Sequence, residues 1–241
     1  MTNRAHRVFW RRLLNAATAP YRQRGRFAWH FARGKLGRDP VFFNLIAQGV
    51  FPPATRIVDL GCGQCLLANL LPAARRLHRA GDWPADWPAP PQLTAYRGIE
   101  LMARDVERAR AALPAGFTVE QGDIRHAAFG AANVVVILDS LHYIDPAAQD
   151  AVLTRARATL SDGGLLILRV GDAAAGWPFQ LCSWVDRLVT RIRGHRLGTL
   201  YCRPAADWQA QLERLGFEVS AQPMDAGTPF ANTLLLARVQ G

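Results

Sequence analysis

From Arg56 onward, short β-rich runs alternate with longer stretches of helical periodicity, and this alternation is what most narrows the fold. "RIVDL" precedes "QCLLANLLPAARRL", "AYRGIE" precedes "LMARDVERARAAL", and "FTVEQGD" follows. "NVVVILD" then precedes "PAAQDAVLTRARATL", and "GGLLILRV" precedes "PFQLCSWVDRLVTRI". Strands separated by helices call for a doubly wound parallel sheet. The end of the chain departs from the pattern. A helix near "AADWQAQLERLG" leads to "FEVSAQ", and "NTLLLARV" follows after "PMDAGTPFA" alone, so the last strand is expected to pair antiparallel. A chain of 241 residues, 50% hydrophobic and 20% charged, has ample material for one such core. "RAGDWPADWPAPPQLT" reads as an inserted surface loop, in which Trp83 and Trp87, at spacing four among prolines, pin the loop down rather than contact substrate.

The net charge of +10 is concentrated at one end. Residues 1–40 carry ten Arg or Lys and a single acid, Asp39, whereas the remainder is almost neutral. In "RAHRVFWRRLLNAA", Ala5, Val8, Phe9, Leu13 and Ala16 recur at helical spacing, opposite Arg4, Arg7, Arg11, Arg12 and Asn15. A basic amphipathic helix of this kind can lid the domain, dock an acidic protein or lie on an anionic membrane, and it ranks nucleic acid last. Phe27, Trp29, Phe31, Phe42 and Phe43 continue the segment as core packing or as a pocket wall. The division expected is a helical segment over 1–48 and the α/β domain over 49–241. With no apolar leader or spanning run in the sequence, a cytoplasmic protein is expected, with peripheral membrane contact through residues 4–38 as an option.

The stretch "IVDLGCGQCLL", residues 57–67, is a strand, a tight turn and a helix start, and three chemistries compete for it. As a metal clip, Cys62 and Cys65 lack a second ligand pair, because Cys182 and Cys202 stand far apart without ligand spacing. As a dinucleotide cradle, the turn carries Leu66 where the third glycine belongs, and Asp59 would repel a pyrophosphate. An acid there suits a cofactor bearing a cation and no phosphate.

S-adenosylmethionine is such a cofactor, and here the chain resembles the class I S-adenosylmethionine-dependent methyltransferases. "VDLGCGQC" is similar to their first motif, "YRGIE" to the second strand end, "QGDI" to the third, "VVVILDSLHYID" to the fourth and "LSDGGLLILRV" to the turn and fifth strand. The resemblance implies a Rossmann-like sheet of seven strands in the order 3-2-1-4-5-7-6. It also implies cofactor contacts from Asp59, Gly61, Cys62 and Gly63 at the amino-acid end and from Glu100 with Leu101 at the ribose. Asp123 and Ile124 would hold the adenine, and Asp139 and Ser140 would run beneath the methionine portion. Strand C-termini in such sheets gather ligands into one crevice. S-adenosylhomocysteine would be the product.

Methyl transfer is an in-line displacement, so alignment supplies much of the catalysis, and a base is needed only for a weakly acidic acceptor. His142 and Tyr143, after the fourth strand, and Asp172, after the fifth, are the catalytic candidates. Arg169 faces the same side or satisfies a core carboxylate, while His30, His195 and Tyr201 carry a weaker signal. The fourth motif lacks the Pro-rich and Pro-Cys signatures of nucleic-acid base methylation, which points to a small-molecule acceptor such as a quinone, phenol or lipid. "GRFAWHFARGKLGRDPVF", "RVGDA" and "AGTPFAN" further resemble methyltransferases of aryl polyene, xanthomonadin-type pigment clusters. That resemblance implies a hydroxyaryl acceptor, methylated at the phenol oxygen or ring carbon, carried on an acidic acyl carrier protein that the arginine segment would meet. A methyltransferase-like binding module without turnover is the alternative from another class.

Overall fold

The computed structural model describes residues 4–172, 200–224 and 232–240. Its strands are β1 (Ala54–Leu60), β2 (Gln92–Glu100), β3 (Thr118–Gln121), β4 (Ala132–Leu138), β5 (Leu160–Gly171), β6 (Phe217–Pro223) and β7 (Asn232–Val239). They follow the order β3-β2-β1-β4-β5-β7-β6, as the family resemblance implied. β7 runs antiparallel to both β5 and β6, while β1 and β2, β2 and β3, and β4 and β5 pair parallel. The helices are α1 (Arg4–Thr18), α2 (Arg26–Arg38), α3 (Pro40–Ala47), α4 (Leu66–Arg79), α5 (Ala103–Ala112), α6 (Pro146–Thr159) and α7 (Ala205–Arg214). The sequence-expected helix over 178–192, with Cys182 and the nearby His195, lies outside the described residues, as does most of "AGTPFAN".

The inner strands read as unbroken apolar runs because a parallel strand is covered on both faces. Ile57 to Leu60 of β1 and Val134 to Ile137 of β4 are buried without alternation. Helix starts follow local chemistry: Asp39 and Asp145 each accept a backbone N–H of the turn they open, and Pro40 and Pro146 occupy the first helical position. In β5 the register with β4 jumps between Ala132 and Val134, which leaves Ser161–Gly164 as an outlooped turn.

The residues fall into two compact units, one ending at Ile124 and one beginning at Arg125. In the first, α1 packs on α4, and its buried stripe corrects the expected one. Phe9, Trp10, Leu13, Leu14 and Ala17 face inward, whereas Ala5 and Val8 are exposed and Ala16 is half-buried. The stripe is rotated because its partners are aromatic side chains of the Trp-Pro insertion. Phe9 meets Trp83 and Trp87 edge-on at 5.1 and 5.5 Å, and Trp10 meets Phe43 at 5.3 Å. A hydrogen bond between His6 and Asp86 and an ion pair from Arg12 to Asp82 fasten the same loop, and with the ring contacts both tryptophans anchor it as the sequence led one to expect. Tyr21, in the 3-10 turn Ala19–Arg24 after α1, is fully buried. Its hydroxyl donates to the carbonyls of Gln64 and Cys65 at 2.8 and 3.2 Å and accepts from Asn69 Nδ2 at 3.0 Å. Among the described residues no helix is long and apolar enough to cross a membrane.

Candidate active site

The end of β1 is built around left-handed backbone. Gly61 (φ +73°) and Gly63 (φ +54°) turn the chain, and Cys65 (φ +56°) opens α4. A Cβ at Gly63 would meet no heavy atom within 4 Å, so the glycine is required by its dihedral and its backbone borders open space. The amides of the turn are committed inward. Gly61 N and Cys62 N both donate to the carbonyl of Ile99, at 2.8 and 3.2 Å, and Cys65 N donates to Cys62 O at 2.9 Å. Gly63 N donates to Glu100 Oε2 at 2.8 Å, and Met102 N donates to Oε1 at 2.9 Å. Burial pushes the Glu100 carboxyl up, and those two amides oppose the shift.

Beside this turn Asp59 is buried on β1, its Oδ2 accepting from the Tyr96 hydroxyl on β2 at 2.6 Å. Burial pushes Asp59 up to about 7, with the Tyr96 hydrogen bond opposing and the neighbouring Glu100 adding. The third-strand motif joins the same network, since Gly122 N donates to the Glu100 carbonyl at 3.0 Å and Gln121 Nε2 to the Leu101 carbonyl at 3.3 Å. Asp123 follows, half-buried, with Ile124 buried and the Leu101 side chain well exposed. Within this unit, therefore, the turn, Glu100 and the "QGDI" segment are linked residue to residue.

In the second unit, Asp139 follows β4 at φ +59°, a conformation Asp tolerates better than most residues. Its carboxylate accepts from both Nε (2.7 Å) and a terminal nitrogen of the buried Arg169, which fulfils the core-carboxylate reading of that arginine. Half-buried Ser140 precedes the 3-10 turn Leu141–Tyr143. The His142 ring lies 4.1 Å from that of Tyr143, whose side chain is partly exposed. Asp172 Oδ1 accepts from Ala205 N, at the first residue of α7, at 3.1 Å. Tyr201 N donates to the His142 carbonyl at 2.9 Å. Fully buried Gln149, which sequence reasoning missed, places its Nε2 within 3.1 Å of the carbonyls of Leu141, Ile144 and Tyr201. Tyr21, Asn69 and Tyr96 were missed likewise, although an apolar strand carrying a tyrosine beside a buried acid was a signal for the last. Among the described residues no group of three or more side chains is arranged to hold a metal ion.

A family model described as a methyltransferase domain matches residues 5–222, and the chain belongs to that family. The carboxy-S-adenosyl-L-methionine synthase of Chromohalobacter salexigens is 31% identical over 130 residues, 52% of this chain and 43% of that protein. The chain thus matches about half the length of such curated relatives, those from Escherichia coli included. Among solved structures, an O-methyltransferase family protein from Burkholderia thailandensis superposes with a TM-score of 0.63 at 21% identity, over 91% of this chain and 60% of that one. Magnesium protoporphyrin IX methyltransferase from Synechocystis with bound S-adenosylhomocysteine gives 0.57 at 18%, over 90% and 89%. Human N-acetylserotonin methyltransferase in complex with S-adenosylmethionine gives 0.58 at 14%, over 88% and 54%. These structures share the fold.

Proposed function

We propose that the protein transfers a methyl group from S-adenosylmethionine to a small-molecule acceptor, a hydroxyaryl compound being the acceptor we favour. The turn at the end of β1 supports the cofactor most directly. With Gly61, Cys62 and Gly63 donating inward, the turn has no fan of amides for a pyrophosphate, and Asp59 and Glu100 place two carboxyl groups beside it. Such a site favours a ligand that brings cations and hydroxyl donors. Asp59, Gly61, Cys62 and Gly63 would hold the amino-acid end, and the Glu100 carboxylate with Leu101 would receive the ribose hydroxyls. Asp123 and Ile124 would serve the adenine, with Asp139 and Ser140 along the methionine portion. The bound cofactor supplies a methyl group on a sulfonium. His142, in ring contact with Tyr143 and with its carbonyl accepting from Tyr201 N, would take the acceptor's proton.

Calorimetric titration with S-adenosylmethionine, S-adenosylhomocysteine and NAD tests this reading. The first two should bind, and Glu100→Ala should abolish both while the variant keeps its circular dichroism; binding of NAD alone would overturn it. Under the same reading, phenols outrank quinones and lipids in a turnover screen, and His142→Ala lowers turnover on phenols. An acidic carrier protein is the partner proposed for exposed Arg4, Arg7 and Arg11 of α1. Its test is charge reversal of those arginines, because deleting α1 would strip the core of Phe9, Trp10 and Leu13. The curated relatives motivate a second reading, chemistry on the cofactor itself, which would yield a carboxylated S-adenosylmethionine in place of a methylated acceptor.

A further inference from the structure

The function proposed above uses the backbone of the glycine turn and leaves its two thiols without a chemical step, yet they are held together. Cys62 Sγ and Cys65 Sγ lie 3.4 Å apart, and the Cys65 N to Cys62 O hydrogen bond of 2.9 Å closes a four-residue turn between them. Such a turn keeps its end Cα atoms within about 7 Å, the upper edge of the disulfide range, and bonding asks the sulfurs to approach to about 2.05 Å. The space they share is supplied by Gly98 on β2: a Cβ there would lie 2.6 Å from Cys62 Sγ and 2.9 Å from Cys65 Sγ. Any larger residue would push the pair apart. Cys62 is partly accessible and Cys65 is buried beneath it.

We propose that Cys62 and Cys65 form a reversible dithiol–disulfide site, oxidised by hydroperoxides, whose disulfide form weakens cofactor binding. The second clause rests on the function proposed above. Cys62 sulfur attacks the peroxide oxygen, giving a sulfenic acid and releasing the first water; Cys65 sulfur then attacks that sulfur, forming the S–S bond and releasing the second. Two thiols lose two electrons and two hydrogens, and one hydrogen peroxide becomes two waters. A thiol reductant reverses the step. The hydrogen bond to Cys65 and burial push the Cys62 thiol well above its ordinary range, so the reaction is slow at neutral pH and quickens as pH rises. Pulling Cys62 toward Cys65 draws on the residue joining Gly61 to Gly63, whose amide holds Glu100. The disulfide therefore disturbs the carboxylate assigned to the ribose.

The test treats the folded full-length protein with hydrogen peroxide, maps peptides by mass spectrometry, and titrates S-adenosylhomocysteine before and after. The expected result is a Cys62–Cys65 bridge with two hydrogens lost, an affinity at least about tenfold weaker, and recovery on adding dithiothreitol. C65S should lose the bridge and bind equally with and without mild peroxide. If the native protein keeps both thiols while the same chain in urea forms the bridge, the site is refuted. A bridge with unchanged affinity refutes the switch. If the reduced protein binds no S-adenosylhomocysteine, the cofactor reading fails, and peptide mapping still decides the disulfide site.

Discussion

The Tyr96 hydroxyl donates a 2.6 Å hydrogen bond to Asp59 Oδ2 across adjacent parallel strands, and both side chains are buried. A carboxyl group buried with one neutral donor and a second carboxyl nearby resists ionising, which holds Asp59 near 7 where an open chain has 3.8. The folded state then binds more protons than the unfolded state between those values, so stability falls as pH rises through that window. At about 1.4 kcal/mol per unit, the loss is on the order of 4 kcal/mol across it. Asp59→Asn should flatten this part of the profile, measured by urea unfolding at stepped pH. Parallel profiles for the two proteins would mean that Asp59 is ionised throughout.

Arg169 is buried and reaches Asp139 through two nitrogens, so removing the acid leaves a cation without its bidentate partner in the core. Breaking a pair of this kind costs about 3–5 kcal/mol. Asp139→Ala also loses the residue type that tolerates φ +59°. Asp139→Asn keeps that tolerance and one acceptor, and should cost about half as much by the smaller loss of a hydrogen bond to charge. Thermal unfolding of the two variants checks the order; equal losses would assign the whole effect to charge.

The parts of this molecule legible from sequence are those decided by near neighbours. Apolar runs marked β1, β4 and β5, the stretch from Pro146 marked α6, and a glycine turn after a strand marked the segment assigned to the cofactor. Contacts between distant residues were not legible. Tyr21 meets Asn69 across 48 positions and Gln149 meets Tyr201 across 52, and no local pattern distinguishes such a tyrosine or glutamine from one in solvent. The stripe of α1 was misread for the same reason: its register is selected by α4 and by Trp83 and Trp87, which the helix's own periodicity does not contain. The hydrogen bond from Ala205 N to Asp172 spans 33 residues and was illegible for the same reason.

Gln149 binds the turn bearing His142 to the segment bearing Tyr201 through one buried amide nitrogen. Gln149→Leu fills similar volume and leaves those carbonyls without that donor. The expected loss of stability is about 1–3 kcal/mol. Because the turn's geometry loosens as well, turnover should fall by a larger factor than cofactor affinity. Stopped-time assays beside calorimetry check this; a matching drop in both would show that the variant disturbs the fold as a whole.

Tyr21 ties the N-terminal segment to the start of α4 by donating to Gln64 and Cys65 carbonyls while accepting from Asn69. Those carbonyls belong to the turn that carries Gly63, so the hydroxyl braces the cofactor segment from behind. Tyr21→Phe keeps the packed ring and deletes the brace, leaving the buried Asn69 amide without that acceptor. A loss of about 1–2 kcal/mol in stability is expected, with cofactor affinity weakened about tenfold or less, as one lost hydrogen bond allows. Asn69→Leu removes the stranded donor, so Tyr21→Phe in the Asn69→Leu background should cost less than in the parent, a coupling that a double-mutant cycle measures directly. Additive costs would show that the hydroxyl and the amide act independently, and that α1 steadies the turn through packing alone.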